Sequence, residues 1–528
     1  MTNFPIEVVQ KIVSYLQDIK NPNYLFSALM VNRDWCKVSV PFLWEITLDY
    51  SPDKYNSYKC IRTYLSNANE ESRIFLTHHG MDLLSSPPWT SFNYATYLNS
   101  INYHHLAVLI ESYLSKINNR NFDDFISAKE RILFQELCKL FMKRSRSMKR
   151  IIIPDTIRLD GIIGEIPYIT RYDGANRCLK GLKELYCYWN FNETFYKSIL
   201  QFCKNIQVIK IYIDAYYDMD SLANLISLQN NLKQLKIEVQ ELIMGNMVSN
   251  DYCTPLFNSI LNQSHSIQKL ELVNFSFQYA DSKTLERLII SCKYLRFLSI
   301  YQCKYLENQQ FNSTDNFHSL EELYYCLRVD DIFPEKLLVG IFKTANTKLR
   351  KIKLSYHTIK VIRAIIFNCL NVEILNLSTI SLSHNIILRI FDTCTRLKHF
   401  TFEGERGYDE NDLLIQMSKY VPITLETLEI KMLLQYPWIF SAASLKVFLK
   451  ASKNLRLLKI IHKEPQQTLD QQFSNPLTPK NSSMKILTKD HFDVIEELGI
   501  GLYMSSGIKF SKKLYPNYVH TIVIPSKK

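Results

Sequence analysis

Apolar residues recur along most of the chain in one spacing: an apolar position, two residues, a second apolar position, one residue and a third. The clearest copies are Leu232/Leu235/Ile237, Ile267/Leu270/Leu272, Leu295/Leu298/Ile300, Leu349/Ile352/Leu354 and Leu425/Leu428/Ile430. Further copies begin at residues 182, 206, 320, 372, 397 and 455, and weaker ones at 495 and 519. The alternation within each copy predicts a short strand with one buried face.

Segments with apolar residues at helical spacing lie between these strands, as in residues 284–290, 359–367 and 445–449. Successive copies begin roughly 28 residues apart. The pattern resembles leucine-rich repeats, whose fold would be a parallel inner sheet with outer helices. No repeat can bury its apolar side alone, so we expect the copies to stack into a curved solenoid. Residues 465–483, which are polar and contain two prolines, predict an exposed loop.

Four cysteines occupy the same place in their repeats, three residues before the first apolar strand position. They are Cys203, Cys292, Cys369 and Cys394. A small apolar side chain there would fill the turn between helix and strand. The competing interpretation is zinc binding, but the chain has no Cys-x-x-Cys pair, so packing is favoured.

The first residues carry a different, helical pattern. Pro5 suits the first turn of a helix. Val8, Ile12 and Leu16 fall four residues apart and form one apolar stripe. The Asn-Pro-Asn sequence at residues 21–23 predicts the end of this helix.

Two more short helices are predicted after that break. Residues 25–29 restart the helical spacing, and Asn32 is a plausible N-cap for a third helix carrying Trp35. We expect Pro41 to end that helix, with the bulky residues 43–44 following it. Three helices in about 45 residues bury little surface, so this segment needs a partner or a neighbouring domain.

This order of residues resembles an F-box, the helical module that docks onto the Skp1 subunit of cullin-based ubiquitin ligases. The sequence departs from the F-box pattern at two places: Phe4 replaces the usual Leu, and Val8-Val9 replace the usual Ile-Leu. Both replacements keep bulky apolar side chains. The resemblance implies that a Skp1-like partner is contacted by Pro5, Ile6, Val9, Ile12, Leu16, Trp35 and Trp44. The alternative is that the three helices only cap the solenoid.

The chain therefore divides into a predicted F-box (residues 1–48), a helical linker (49–147) and a leucine-rich-repeat solenoid (148–528). The fold class is α/β. Within the linker, residues 103–117 and 122–144 have helical patterns. A rigid linker would fix the F-box relative to the repeats.

Composition indicates a folded protein inside the cell. Hydrophobic residues make up 47% of 528 residues, and no stretch of about 18 apolar residues predicts a membrane span. The N-terminus lacks the basic start and apolar run of a signal peptide. We therefore expect a cytoplasmic or nuclear protein without membrane contact, whose 12 cysteines are free thiols.

The net charge of +12 raises the question of nucleic-acid binding. The basic residues are spread along the chain, and the densest patch, residues 142–150, is short. The sequence therefore argues against a nucleic-acid partner, although a basic surface favours acidic or phosphorylated proteins.

Motifs for catalysis are absent from the sequence: there is no Gly-x-Ser-x-Gly, Walker A, His-Glu-x-x-His or Rossmann glycine run. We therefore assign no catalytic residue, cofactor or metal, and predict that the chain is not an enzyme.

The resemblance implies a substrate-recognition adaptor of an SCF-type E3 ubiquitin ligase. It would bind a Skp1-like protein, and through it a cullin, and would hold an unknown target protein on the repeats. The alternative functions are a leucine-rich-repeat scaffold without a ligase role and a nucleic-acid binder. Candidate target contacts are polar or aromatic residues between the apolar strand positions, namely Lys236, Glu238, Glu271, Tyr301, Tyr324, Lys353, Asn376 and Glu429.

Overall fold

The computed structural model describes most of the chain in two compact units, residues 1–267 and 268–528. The described residues are 4–18, 22–45, 47–48, 57–81, 91–117, 125–153, 169–188, 193–214, 219–240, 253–312, 319–328, 331–345, 348–404, 410–433, 440–463, 490–491, 493–494, 501–505 and 518–523.

The first unit begins with three short helices: α1 (Ile6–Asp18), α2 (Pro22–Leu29) and α3 (Arg33–Glu45). The carbonyl of Pro5 accepts the first N–H bond of α1, from Val8 at 3.0 Å. Asn32 caps α3 as predicted, because its Oδ1 accepts the N–H groups of Asp34 and Trp35 at 2.9 and 3.0 Å. The three helices share a small core of Val9, Val13, Leu25, Ala28 and Val38.

The prediction that Pro41 ends the third helix is wrong. Pro41 lies inside α3, which continues to Glu45. A proline there removes one helical N–H and crowds the preceding turn. Phe42 and Leu43 pack on the three-helix core, and this packing favours the continued helix.

The segment predicted as a helical linker contains helices and one strand. Its elements are α4 (Ser57–Leu65), α5 (Glu70–His78), a 3-10 helix (Tyr94–Thr96), β1 (Ser100–Asn102), α6 (Tyr103–Ile117) and α7 (Phe125–Arg144). The two predicted helices are confirmed as α6 and α7. Sequence patterning missed β1, because three residues are too few to show an alternation.

Strands and helices then alternate to the end of the first unit. The elements are β2 (Arg150–Ile153), a 3-10 helix (Ile169–Arg171), α8 (Ala175–Leu179), β3 (Glu184–Cys187), α9 (Glu193–Phe202), β4 (Val208–Asp214), α10 (Met219–Ser227), β5 (Gln234–Gln240) and α11 (Cys253–Asn262). Strands β1 to β5 pair in chain order and in parallel.

The second unit repeats this alternation. Its elements up to residue 382 are β6 (Lys269–Val273), α12 (Thr284–Ser291), β7 (Phe297–Tyr301), a 3-10 helix (Leu306–Asn308), β8 (Glu322–Cys326), α13 (Glu335–Ala345), β9 (Lys351–Leu354), α14 (Ile359–Asn368) and β10 (Ile374–Leu382). There follow α15 (His384–Thr393), β11 (His399–Gly404), α16 (Glu410–Tyr420), β12 (Thr427–Leu433), α17 (Ala442–Ala451) and β13 (Leu457–Lys463).

Strands β6 to β13 also pair in parallel and in chain order. Every motif that begins between residues 182 and 455 coincides with a parallel strand, so those strand predictions are confirmed. In most of these strands, buried residues alternate with half-buried or exposed ones wherever burial is described, as in β6 and β7. The buried face packs on the helices, which leaves an open face. The α/β class is confirmed, and the alternation is compatible with a repeat solenoid.

The last predicted repeat has the wrong direction. Strand β15 (Tyr518–Val523), which contains the motif at residue 519, pairs antiparallel with β13 and with β14 (Gly501–Ser505). A returning strand needs no helical crossover, unlike a parallel one. The motif at 495–500 and the predicted loop at 465–483 lie outside the described residues.

The four recurring cysteines lie in the helix-to-strand turns, as predicted. All four are buried and are free thiols. The Cys203 thiol donates to the carbonyl of Leu179 at 3.2 Å. Burial raises the pKa of Cys203 and of Cys292 to about 12.

Glutamine takes the place of cysteine in one of these turns. Gln229 is 3% exposed, and its Oε1 accepts the N–H of Ile206 at 2.9 Å. Its Nε2 donates to the carbonyls of Cys203 and Leu225 at 3.2 and 2.8 Å. Gln263 in the next turn donates to the carbonyl of Gln229 at 2.7 Å. These amides satisfy turn groups that the strands leave unpaired.

Candidate interaction surfaces

The N-terminal three-helix segment (residues 4–48) carries an unusual amount of exposed apolar surface. Eight large apolar side chains in it are more than 40% exposed. They are Phe4, Ile6, Val8, Tyr15, Tyr24, Phe26, Met30 and Val31, and we call them the apolar patch. Met30 is 86% exposed. Single exposed apolar residues are ordinary, but a concentration of them in one short segment is typical of an interaction surface.

The predicted partner-facing residues of the helices divide into exposed and buried ones. Pro5 and Ile6 are exposed. Val9 is buried in the three-helix core, and Leu16 packs against it. Ile12 is half-buried. Exposed and half-buried members are open to a partner as they stand, whereas Val9 is not. The residues of the apolar patch on α2 were missed by the sequence analysis.

The two tryptophans among the predicted partner contacts, Trp35 and Trp44, are half-buried and pack against other side chains of the first unit. Trp35 packs against the three-helix core. The Trp44 ring lies edge-on to Tyr64 at 5.2 Å and tilted on Tyr94 at 4.4 Å, measured between ring centroids. Tyr64 in turn meets Phe141 of α7 at 4.9 Å. Trp44 therefore joins α3 to the helices that follow it.

Glu45 adds a polar connection at the end of α3. Its backbone carbonyl accepts the N–H of Asn99 at 3.2 Å, and its carboxylate accepts from the Asn99 amide. Lys149 reaches the same carboxylate at 2.8 Å. Together with Trp44, these bonds attach the three-helix segment to the start of the sheet in the first unit.

In the second unit, the open face of the sheet brings most of the predicted target contacts into one line. The parallel register places in one row Glu271, Ser299, Tyr324, Lys353, Asn376, Thr401 and Glu429. Tyr301, which is 43% exposed, lies two residues further along β7. The sequence showed only that these residues occupy equivalent positions in their repeats. The register between adjacent strands also makes them neighbours in space.

Ion pairs occupy much of this open face. Lys269 pairs with Glu271 at 2.9 Å, Lys351 with Glu322 at 2.7 Å, and Lys431 with Glu429 at 3.5 Å. Two of the predicted contacts, Glu271 and Glu429, are therefore each engaged by a lysine of their own strand.

Aromatic rings and lysines alternate beside these pairs. Lys269 Nζ stands 4.4 Å from the ring centroid of Phe297, and that ring meets Tyr324 at 4.8 Å. Lys353 Nζ stands 4.6 Å from the Tyr324 centroid on the other side. Burial and the neighbouring Glu322 raise the pKa of Tyr324, so its hydroxyl stays neutral. Phe297 and Lys269 were missed by the sequence analysis, although their strand positions place them on the open face.

A pocket of about 250 Å³ opens in this face, and we call it the lysine pocket. It is lined by Ser299, Ile300, Tyr301, Tyr324, Tyr325, Cys326, Lys353, Leu354, Ser355 and Asn376. Its floor is the sheet itself, since the lining residues Ile300, Tyr325 and Leu354 are buried and alternate along their strands with the open-face residues. Four of the predicted target contacts therefore line one pocket, namely Tyr301, Tyr324, Lys353 and Asn376.

The two remaining predicted contacts, Lys236 and Glu238, belong to β5 of the first unit. Lys236 Nζ is 2.8 Å from the Glu238 carboxylate, so the two side chains pair with each other. Neighbouring Lys210 on β4 stands 4.5 Å from the Tyr186 ring centroid. The open face of the first unit therefore has a similar mixture of charged and aromatic groups.

Comparison with known proteins gives no assignment: no family model matches the chain, and no curated protein matches its sequence. Among the described residues, no three His, Cys, Asp or Glu side chains lie close enough to hold a metal ion. No described helix is long and apolar enough to cross a membrane.

Proposed function

We propose that the chain is a substrate-recognition adaptor of an SCF-type E3 ubiquitin ligase. In this proposal, the N-terminal three-helix segment is an F-box that binds a Skp1-like protein and, through it, a cullin. The observation that carries the proposal is the apolar patch, because eight large exposed apolar residues in so short a segment call for a covering partner. The resemblance of the same residues to an F-box indicates which partner.

The attachment of the three helices supports an adaptor role. Ubiquitin transfer by proximity requires that the target be held at a defined distance from the ligase core. Trp44 and Glu45 fix α3 to the helices and strand that follow it in the first unit. The chemistry would belong to other subunits, and this chain would supply two binding surfaces.

The open sheet face is the proposed surface for the target. Alternate side chains of parallel strands form a broad, varied surface of charged and aromatic groups, which suits protein recognition. The lysine pocket gives this surface a concave centre in the second unit.

The test is co-purification of Skp1 and cullin with the full-length chain from cells. The chosen variant is Ile6→Asp/Met30→Asp, because both side chains are exposed and their replacement should leave the fold intact. Ile423→Asp is the matched control, since Ile423 is 67% exposed but lies in the second unit.

We expect the wild type and the control to retain both proteins, and the Ile6→Asp/Met30→Asp variant to lose both. Retention of Skp1 without cullin by the wild type would instead favour a repeat scaffold without a ligase role. Failure of the wild type to retain Skp1 would refute the F-box assignment and leave the three helices as a cap.

A further inference from the structure

The lysine of the lysine pocket, Lys353, differs from the other lysines of the open face in its charge pairing. Of the lysines on the described open face of β6 to β12, Lys269, Lys351 and Lys431 each lie within 3.5 Å of a carboxylate. Lys353 is exposed and stands over the Tyr324 ring, with no carboxylate within 4 Å in the described part of the chain. Among the described residues of this face, it is therefore a cation that remains available.

The surroundings of Lys353 favour a negative ligand. Glu322, a carboxylate on the neighbouring strand β8, is already held by Lys351 at 2.7 Å and by the Tyr324 hydroxyl at 3.2 Å. The hydroxyl-bearing residues Ser299 and Tyr301 line the same pocket. An ammonium group in a concavity that is also lined by hydroxyl-bearing residues attracts an anionic oxygen group more strongly than a lysine on an open surface does.

We propose that the lysine pocket binds an anionic side chain of a partner polypeptide, with Lys353 as its charge partner. The shared chemistry is a negatively charged oxygen group, either the carboxylate of an acidic residue or the phosphoryl group of a phosphorylated one. The inference rests on the proposed function in taking the open face as the target surface. Its test needs neither Skp1 nor a ligase, so the anion-binding proposal and the proposed adaptor function can fail separately.

The experiment is ligand-observed saturation-transfer NMR with the purified full-length chain. The probes are the N-acetyl amides of glutamate, phosphoserine, phosphotyrosine and tyrosine, each titrated at low ionic strength. The variant is Lys353→Gln. The matched control is Lys459→Gln, because Lys459 continues the same register row on β13, about 19 Å away at the usual strand spacing.

We expect saturable binding of at least one anionic probe, about fivefold weaker binding in Lys353→Gln, and no such loss in Lys459→Gln. The tyrosine probe should bind as weakly to the wild type as the anionic probes bind to Lys353→Gln. Preference for glutamate identifies a carboxylate ligand, and preference for a phosphorylated probe identifies a phosphoryl ligand. Absence of saturable anion binding, or equal losses in the two variants, would overturn the proposal. Thermal unfolding of both variants at the wild-type temperature confirms that the comparison concerns binding.

Discussion

Removal of the Gln229 side chain should show how strongly the turns between repeats depend on buried hydrogen bonds. Gln229→Ala leaves the N–H of Ile206 and the carbonyl of Cys203 without their partner, since Gln229 supplies both bonds. Each buried group left unpaired costs about 1–3 kcal/mol. The lost packing of a side chain that is 3% exposed adds to this cost. We therefore expect the free energy of unfolding to fall by about 3–5 kcal/mol.

The assay is urea unfolding followed by tryptophan fluorescence. Four of the five tryptophans lie in the first unit, which also contains residue 229, so the signal reports mainly on that unit. The midpoint should shift to lower urea with an unchanged slope. Asn230→Ala is the neighbouring control, because Asn230 makes an exposed side-chain bond to Asn205 at 2.9 Å, and its loss should cost under about 0.5 kcal/mol. A loss below about 1 kcal/mol in Gln229→Ala would refute the reasoning.

Three further changes test the packing. Burial, with Glu111 nearby, raises the pKa of Glu130 from 4.5 to about 7, so ionisation opposes folding and stability falls as the pH rises between those values. Glu130→Gln should therefore stabilise the protein by about 1–3 kcal/mol at pH 8 but not at pH 4, as measured by thermal unfolding. An equal effect at the two pH values would contradict ionisation of Glu130 as the cause. Gly340→Ala should destabilise by about 1–3 kcal/mol in urea unfolding, because its Cβ would lie 2.5 Å from the carbonyl oxygen of Phe311; a stabilised variant would show that the contact relaxes. Trp44→Ala should cost about 2–4 kcal/mol through lost ring contacts, and an unchanged unfolding midpoint would mean that Trp44 does not hold α3 in place.

Period-based reasoning predicted the repeats well because each strand buries the same face. The motif at residues 295–300 and its equivalents place leucine and isoleucine at fixed steps, so burial alone determines the strand. The same reasoning failed for β1, which is too short, and for β15, whose direction depends on pairing with β13 rather than on its own pattern. Strand direction depends on tertiary pairing, so local periodicity cannot predict whether a strand is parallel or antiparallel to its neighbour.

The candidate surfaces could be predicted only in part. Alternation along β8 and β9 correctly indicated that Tyr324 and Lys353 lie on the open face. It could not show that Lys353 lacks a carboxylate among the described residues while Glu322 is taken by Lys351, because that depends on register between strands. Likewise, helical spacing grouped Val9 with Ile6, and only packing of the three helices separates the buried residue from the exposed one.

The most direct measurement of the central claim is the affinity of purified Skp1 for the purified full-length chain, by isothermal titration calorimetry. The account predicts saturable one-to-one binding that weakens at least about tenfold in Ile6→Asp/Met30→Asp, with Ile423→Asp unchanged. Heat exchange no greater than that of dilution for the wild type, or equal affinities for all three proteins, would contradict the assignment of the apolar patch as the Skp1-binding surface.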